Sequence, residues 1–470
     1  MLVFNGFSFD SRVEREAATL VQAGFDVTVL ALRLDGLPAR ENRQGVLVKR
    51  VGCLLSLRSA LRNDVNRLPL SLRAMTLPFL WLYHAFRWLF EILTAALRAV
   101  RRFVRRRLLP AQSRVREGNW LRRMLWTTAD AAGRLYAHAK RNAKRFVPHV
   151  ERLLRQQAIN LVAARLTLAA IAEHADVYHA NDMNTLIPAF VASRLAGARL
   201  VYDSHELWSE RNVAGGLTDH EKAAIRRTEG FLIRRVDATI TVCRSIAVEL
   251  SDMYGVPEPY VVRNTPAIAG GLGWHGRAGY IPRHGDRKIL LYLGRIASHR
   301  GIEPMIEAIR GIDDVSVVIV GNGKERQIDR ILRFAEHLQV AERVHLLAAV
   351  PHSAVTAIAA QADVGMVLFQ NICRSYYYSL PTKLFECIHA GLPVIASDFP
   401  EMASLVHQYD IGVTCDPADP TAIAAAIRDI LADPTRYQRL KENTRTAARE
   451  LNWEIEGQKL VEIYREVIAK

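Results

Sequence analysis

Cysteine is scarce in this chain of 470 residues. The five cysteines are Cys53, Cys243, Cys373, Cys387 and Cys415, and they form neither a CxxC pair nor a Cys/His cluster. An odd, scattered set argues against a disulfide framework and a structural zinc site, and it favours a reducing compartment. The first residues, MLVFNGFSFDSR, place no basic stretch before an apolar run, so we expect no signal peptide.

Several well-known catalytic fingerprints are also missing. The sequence has no serine nucleophile elbow, no P-loop and no GxGxxG dinucleotide motif. It also has no internal repeat and no low-complexity tract. These absences remove the usual sequence evidence for a serine hydrolase, a P-loop NTPase, a dinucleotide-dependent dehydrogenase or a repeat protein.

Positive charge is concentrated in one segment. The net charge is +15, yet residues 54–170 alone carry 23 Lys and Arg against five acidic residues, a net +18. The rest of the chain therefore has a net charge of −3. This distribution indicates an enzyme-like chain with a basic insert rather than a protein that is basic throughout.

The insert contains an apolar stretch, Leu77–Leu97, that resembles a membrane span at first sight. Its three polar residues and Arg98 just beyond fall within about 60° of one another on a helical wheel. A helix with one narrow polar face lies in a bilayer interface more readily than it crosses the bilayer. With the arginine-rich sequence that follows, residues 70–145 favour contact with an anionic membrane surface. A partner helix and RNA are the alternatives; we predict the membrane and no nucleic acid, and a homo-oligomer stays open.

Outside the insert, strand-like and helix-like segments alternate twice along the chain. Two such series predict an α/β protein with two doubly wound, Rossmann-like domains that face each other across a cleft. The basic helical insert belongs to the first domain. The expected bounds are 1–265 for the first domain, 280–440 for the second and 441–470 for the terminal helices.

Polar residues follow two predicted strands of the first half. Carboxyl ends of parallel strands share one edge of a sheet, so these side chains should face the cleft. They suit sugar hydroxyls or proton handling, although each histidine could simply cap a helix or lie in a loop. The residues are His179, Asn181 and Asp182 after one strand, and Asp203, His205 and Glu206 after the next.

The second half opens with LYLGRIASHRGIE, which places Gly294 and Arg295 at a strand end and Arg300 just before a helix. Two guanidinium groups and a helix N-terminus would neutralise a diphosphate without a metal ion. No acid pair beside them has the pattern of a magnesium site. Gly321 and Gly323, in IVGNGKE, would let the backbone approach a ligand closely.

The most informative stretch is Tyr376–Asp398. It predicts a loop, a helix with Pro381 in its first turn, a tight turn and a buried strand. Glu386, one turn into the helix, could accept hydroxyl protons from a ribose or a sugar. An ordinary βαβ element with a surface lysine would show the same pattern. An anion site is expected at the helix N-terminus, formed by Ser379, Thr382 and Lys383.

Five segments together resemble family-4 glycosyltransferases of the GT-B fold: FDSRVEREAATLVQAGFDVTVL, VYDSHELWSE, LYLGRI with RGIE, IVGNG, and SLPTKLFECIHAGLPVIASD. They occur in the expected order, and only the insert lacks a counterpart. The resemblance implies a retaining, metal-independent transfer of a sugar from a nucleotide sugar, which gives an α-linkage and needs no cofactor besides the donor substrate. It also implies that the second domain binds the donor, that the first binds the acceptor, and that the last helices cross back to the first domain.

The resemblance also assigns roles by position. Arg295 and Arg300 would hold the diphosphate, and Arg300 stands where the family usually has lysine. Glu386 would hold the ribose. Tyr378 replaces a second glutamate, which we interpret as an SLPxKLFE subgroup. The predicted sites are catalytic His205, Arg295 and Arg300; donor-binding Gly6, Gly294, Gly321, Gly323, Tyr378, Ser379, Leu380, Thr382, Lys383 and Glu386; acceptor-side His179, Asp182 and Glu206; and no metal ligands.

The resulting prediction is a glycosyltransferase that extends a lipid-linked or cell-envelope glycan. We expect it in the cytoplasm, peripheral on the inner face of the cell membrane. No nucleophile is assigned; the leaving diphosphate oxygen would help deprotonate the incoming hydroxyl while the arginines stabilise the developing charge. The alternatives on the same fold are a nucleotide-sugar epimerase, a phosphorylase and a non-catalytic scaffold.

Overall fold

The computed structural model describes residues 1–52, 157–268 and 281–470, apart from residues 9, 35, 214 and 284. The chain divides into two compact units, one of Met1–Val51 with Leu166–Lys470 and one of Gly52–Arg165. The predicted membrane segment, 70–145, and most of the predicted linker at 270–285 lie outside the described residues.

In the first half of the larger unit, the N-terminal residues join two groups of strands into one sheet. Leu2 bridges in parallel to Leu30 on one side and to Ala180 on the other. Beyond Ala180 the strands are all parallel, in the order Val177–Asn181, Arg199–Ser204, Ala238–Thr241 and Tyr260–Val261. On the side of Leu30 the order is Thr28–Arg33, Val46–Gly52 and Arg40–Arg43.

The strands Arg40–Arg43 and Val46–Gly52 form an antiparallel pair that was not predicted from the sequence. Its turn has Gln44 at φ 51° and Gly45 at φ 89°. Two consecutive positive φ angles are what a two-residue hairpin of type I′ requires. The glycine was visible in the sequence, but glutamine is a rare choice for a left-handed position, so the turn gave a weak signal.

The second half contains a six-stranded parallel sheet. Numbered along the chain its order is 3-2-1-4-5-6, and the order reverses between Lys288–Leu293 and Val364–Val367. Ligands of such sheets bind outside the carboxyl ends of the strands at this reversal. From edge to edge the strands are Val344–Leu347, Val315–Val320, Lys288–Leu293, Val364–Val367, Val394–Ser397 and Gly412–Cys415.

Helices cover both sheets, so that all six residues of Val315–Val320 are buried, as expected for a parallel strand covered on both faces. In the first half the helices are Ser11–Gln22, 157–171, Met183–Ala196, Asp219–Ile233 and Arg244–Tyr254. In the second half they are Ile302–Ala308, Glu325–His337, His352–Ala359, Arg374–Tyr377, Thr382–His389, Pro400–Tyr409 and Pro420–Ala432. None of the described helices is both long and apolar enough to cross a bilayer.

The helix in the stretch Tyr376–Asp398, which we call the motif helix, begins one residue later than predicted. Pro381 has φ −75° and ψ 143°, which is extended backbone, and the helix runs from Thr382 to His389. The proline therefore precedes the first turn instead of occupying it. Gly391 follows the helix with φ 73°, as expected for a glycine after a helix end.

Two long helices complete the chain, Pro434–Glu450 and Trp453–Ala469. The last helix packs on the first domain, where Trp453 Nε1 donates to Thr19 Oγ1 at 2.8 Å. Further along it, the Tyr464 hydroxyl lies 2.8 Å from His179 Nδ1 in the interior. The C-terminal segment therefore supplies part of the core of the first domain.

We expect Tyr464→Phe to destabilise the protein by about 1–3 kcal/mol, because it leaves a buried ring nitrogen of His179 without a partner. The matched control is Tyr260→Phe, which removes an exposed hydrogen bond to Glu466. The control should stay within about 0.5 kcal/mol of the parent. Urea unfolding followed by fluorescence measures both changes; equal midpoints for the two variants would contradict the buried role of Tyr464.

Candidate active site

A cleft of about 550 Å³ lies between the strand ends of the two sheets. Its walls come from both halves of the larger unit, as expected for two facing α/β domains. From the first half it is lined by Asn5, Gly6, Ser8, Asp10, Ser11, Arg12, Leu34, His205, Glu206, Val242, Ile246 and Asn264. From the second half it is lined by Phe369, Ser375, Tyr376, Ser379, Leu380, Pro381 and Thr382.

Two cations of the second domain share one aromatic ring. The guanidinium carbon of Arg300 lies 4.3 Å from the Phe369 ring centroid and 4.8 Å from that of Tyr376. Lys383 Nζ lies 5.5 Å from the Phe369 centroid and 4.4 Å from that of Tyr292, whose hydroxyl it contacts at 3.2 Å. Aromatic faces attract cations without neutralising them. The two charges therefore stay available to an anion.

Arg300 retains unused hydrogen-bonding capacity. Its Nε is buried and has no hydrogen-bond partner among the described residues. A buried donor without a partner is costly, and a guanidinium group suits bidentate binding of phosphate oxygens. The sandwich between Phe369 and Tyr376 holds the planar group in place for such a contact.

Burial and the nearby Arg300 lower the pKa of Lys383 to about 7, while Glu386 acts in the opposite direction. At neutral pH the free site therefore holds this lysine only partly protonated. An anion bound beside it would favour the charged form.

Glu386 lies behind these cations, with its side chain 13% exposed. Burial raises its pKa, against the opposing charges of Lys383 and Arg15. Its Oε1 is 3.5 Å from His352 Nδ1, and His352 Nε2 is 3.1 Å from Nη1 of Arg15 on the first domain. Glu386 is therefore connected through His352 to the opposite wall of the cleft.

Sequence reasoning missed Arg15, His352, Phe369 and Tyr292. Arg15 belongs to the amphipathic first helix, and the two rings belong to or follow buried strands. Nothing in their local sequence separates these residues from ordinary surface or core positions. Their role depends on which strand ends meet, which the chain order alone does not specify.

The first domain holds a buried ion network beneath the cleft. Arg12 binds both carboxylate oxygens of Asp203, at 2.8 and 2.9 Å, and lies 2.9 Å from Glu16. Glu16, His179 and Asp203 could in principle ligate a metal ion, since their ligand atoms lie within 4.8 Å of one another. The Arg12 guanidinium pairs with both carboxylates, while both Glu16 oxygens and Nε2 of His179 are buried with no hydrogen-bond partner among the described residues. Burial, partly offset by Arg12, raises the pKa of Glu16 to about 8.

His205 carries positive charge at the edge of this network. Its Nε2 is 3.0 Å from Asp203 and its Nδ1 is 3.5 Å from Asp182. Burial opposes the charge, but Asp182 and Asp203 outweigh it and raise the pKa of His205 to about 10. The imidazolium lines the cleft and can donate a hydrogen bond to a ligand at neutral pH.

The expected acceptor-side residues occupy three different environments. His179 lies inside its strand, 1% exposed and bonded to Tyr464, so it is beneath the cleft and not in its wall. Asp182 supports His205 by accepting its backbone N–H at 3.1 Å, and it has φ 65°. Glu206 does line the cleft, and burial with the nearby Asp182 raises its pKa to about 7. The placement of His179 at a strand tip was wrong because both faces of this parallel strand are covered.

Close packing explains three of the predicted glycines. Gly294 has φ 111°, and a Cβ there would lie 2.8 Å from Lys383 Nζ. A Cβ on Gly321 would meet the Gly294 carbonyl oxygen at 1.8 Å, and one on Gly323 would meet Ile296 at 2.7 Å. Gly321 and Gly323 therefore let neighbouring chain segments approach each other. Gly6, in contrast, lines the cleft directly.

The remaining predicted donor residues differ in position. Arg295 is exposed, and its carbonyl accepts from the Tyr292 hydroxyl at 2.7 Å. Tyr378 is partly buried beside the cleft; its carbonyl accepts from Cys243 of the first domain at 3.2 Å. Ser379, Leu380 and Thr382 line the cleft as a continuous wall that ends at the N-terminus of the motif helix.

Comparison with known protein families agrees with this architecture. Residues 281–447 match the family "Glycosyl transferases group 1". Residues 122–265 match "Glycosyltransferase Family 4". The two matches cover the second domain and much of the first.

Individual relatives and a solved structure are more distant. The chain is 26% identical to a glycogen synthase of Mycobacterium tuberculosis over 270 residues, which are 56% of this chain and 62% of the synthase, less than two thirds of it. It is 25% identical to phosphatidyl-myo-inositol mannosyltransferase of Mycobacterium leprae over 331 residues, 68% of this chain and 81% of that enzyme. The structure of sucrose-phosphate synthase from Thermosynechococcus elongatus aligns with a TM-score of 0.61 and 17% identity, covering 97% of this chain and 92% of the other.

The fold is the GT-B fold of two facing Rossmann-like domains. One region of the chain matches a group 1 glycosyltransferase model and another matches a family 4 model.

Proton uptake at Lys383 should accompany the binding of a diphosphate. As pH rises from 7 to 9, the free site loses the proton of Lys383, so the affinity for uridine diphosphate should fall by up to about tenfold per pH unit. The control is Lys383→Arg, which keeps its charge, so any titration of the ligand itself appears equally in both proteins. Calorimetry across this range measures the difference; parallel pH profiles would contradict a partly neutral lysine.

Proposed function

We propose that the protein is a retaining glycosyltransferase that moves a sugar from a nucleoside-diphosphate sugar to a lipid-linked or cell-envelope glycan at a membrane surface. The observation that carries the proposal is the unneutralised pair Arg300 and Lys383, at the carboxyl edge of the second sheet. Within the described part of the chain these two basic side chains form no ion pair, and beside the N-terminus of a helix, with Lys383 protonated, they match the charge of a diphosphate.

The donor would lie across the reversal of strand order. Its diphosphate would contact Arg300 and Lys383 and the first turn of the motif helix, and its ribose hydroxyls would reach Glu386. The sugar would then extend toward the first domain, where Gly6 and the His205 imidazolium line the cleft. Arg295, exposed at the end of the neighbouring strand, could approach the same phosphates.

The transfer would use the charges already in place. When the bond from the sugar to the diphosphate breaks, negative charge develops on the leaving oxygen, and Arg300 and Lys383 stabilise it. In the retaining reaction that we propose, that oxygen helps to remove the proton of the incoming hydroxyl on the same face. His205 donates a hydrogen bond to the sugar. The chemistry is electrostatic stabilisation with no covalent role for a side chain.

The acceptor side of the proposal has two supports. One is the basic insert of net charge +18, which interrupts the sequence of the first half of the larger unit. The other is the similarity to a mannosyltransferase whose name specifies a phosphatidyl-inositol acceptor. A site on the inner face of the cell membrane fits both supports.

Substitution of Arg300 tests the donor site. Arg300→Ala should lower kcat/KM by about 10- to 100-fold, because a charge-assisted contact contributes about 1.5–3 kcal/mol. Arg310→Ala, an exposed arginine of the same domain, is the matched control and should leave kcat/KM unchanged. Release of nucleoside diphosphate from nucleotide sugars is the measurement. Equal loss in both variants, or loss in neither, would count against the diphosphate role.

The same assay without acceptor separates the alternative reactions. A transferase releases free nucleoside diphosphate slowly by transferring the sugar to water. An epimerase would instead convert the nucleotide sugar into its epimer. A scaffold would do neither, and the Arg300 substitution would then leave the cellular phenotype unchanged.

A further inference from the structure

The outward side of the helix Met183–Ala196 is apolar. Ile187, Val191 and Leu195 are 48%, 36% and 68% exposed. They recur every fourth residue, so they form a stripe along one side of the helix. Phe190 is partly buried beside them. The solvent face of a surface helix normally carries polar and charged residues, so this stripe requires an explanation.

The adjacent helix Asp219–Ile233 widens the stripe. Its Phe231 is 51% exposed, and the rings of Phe190 and Phe231 meet edge to face with centroids 6.3 Å apart. Contiguous exposed apolar surface of this kind marks an interaction site. We call this surface the apolar patch, formed by Ile187, Phe190, Val191, Leu195 and Phe231.

Arginines border the apolar patch. The Arg194 guanidinium lies 5.2 Å from the Phe190 ring, and that of Arg235 lies 3.8 Å from the Phe231 ring. Arg227 is exposed one turn before Phe231. None of these three arginines pairs with an acidic side chain among the described residues. The rim is therefore positively charged.

Acidic residues are absent from this part of the two helices. Met183–Ala196 contains none at all. In the second helix, Asp219 and Glu221 stand in the first turn, at the end remote from Phe231, and Glu229 is buried. An apolar centre with a purely cationic rim matches a layer of anionic headgroups above hydrocarbon. A nucleic acid would match the rim but would gain nothing from the apolar centre.

We propose that the apolar patch docks the first domain on an anionic lipid surface. The apolar side chains enter the headgroup boundary, and the arginines, whose stems lie along the rings, keep their charged ends at the phosphates. This surface consists of described residues outside the basic insert, so it is a membrane contact separate from the one proposed for residues 70–145.

The apolar patch begins close to the cleft, so docking would bring the cleft near the bilayer. The helix starts directly after Asp182, which supports the cleft residue His205. At 1.5 Å per residue, Ile187 lies about 7 Å and Leu195 about 20 Å along the helix from Asp182. A docked bilayer would therefore lie close to the first-domain side of the cleft, where the acceptor is proposed to bind. This consequence rests on the proposed lipid-linked acceptor, whereas the docking itself does not.

Flotation with phosphatidylcholine vesicles, with and without phosphatidylglycerol, tests the docking on the full chain. The test variant is Arg194→Gln with Leu195→Ser. The matched control is Arg333→Gln with Leu332→Ser, an adjacent exposed arginine and leucine on the second domain. The test variant should bind the anionic vesicles at least about tenfold more weakly than the parent, since one arginine alone accounts for about fivefold. The control should bind like the parent.

Three results would overturn the proposal. The first is that the parent does not float with anionic vesicles. The second is that the test variant and the control bind these vesicles equally. Alternatively, the test variant could change the oligomeric state measured by light scattering without vesicles and leave flotation unaltered, which would assign the patch to a second copy of the chain. Hydrolysis of nucleotide sugar in vesicle-free solution should be unchanged in the test variant, so a failure of the docking and a failure of the transferase function are distinguished.

Discussion

The site in the second domain depends on two basic side chains, Arg300 and Lys383, that lie against aromatic rings and form no ion pair with a carboxylate among the described residues. Arg300 and Lys383 share the ring of Phe369, which lines the cleft. A carboxylate in that position would stabilise the pair but would also compete with a phosphate ligand. The aromatic faces give a weaker attraction that an anion can easily exceed. The strand order brings these groups together, since Phe369 follows one strand of the reversal and Tyr292 belongs to the other.

In the first domain, by contrast, the charged side chains are paired with groups of opposite charge. Arg12 binds Asp203 and Glu16, and two members of the network, Arg12 and His205, line the cleft. Removing one partner of a buried pair leaves an uncompensated charge, which costs more than the pair contributes. The network therefore fixes the position of His205 and keeps it protonated. Tyr464 of the last helix closes the network from behind through His179.

The sequence predicted what depends on short stretches of chain. The motif helix, the alternation of strands and helices, and the positions of Asp182, His205 and Glu206 just after two strands all follow from local patterns. The aromatic support of Arg300 and the link from Glu386 through His352 to Arg15 could not be predicted. These contacts join residues far apart in the chain, and they depend on which strand ends become neighbours. The buried position of His179 was missed for a similar reason, because its partner Tyr464 is 285 residues away.

Two of the contacts that join the walls of the cleft involve exposed side chains. Arg15 contacts His352 on one side, and Arg374 pairs with Glu249 at 2.7 Å on the other. The His352 and Arg374 side chains are 45% and 52% exposed. An ion pair with the exposure of Arg374–Glu249 contributes at most about 1 kcal/mol, and the Arg15–His352 contact is a hydrogen bond between two basic side chains. A ligand that contacts both walls would add its own binding energy to the connection between them. The link to Glu386 would make the ribose end of the donor one such contact.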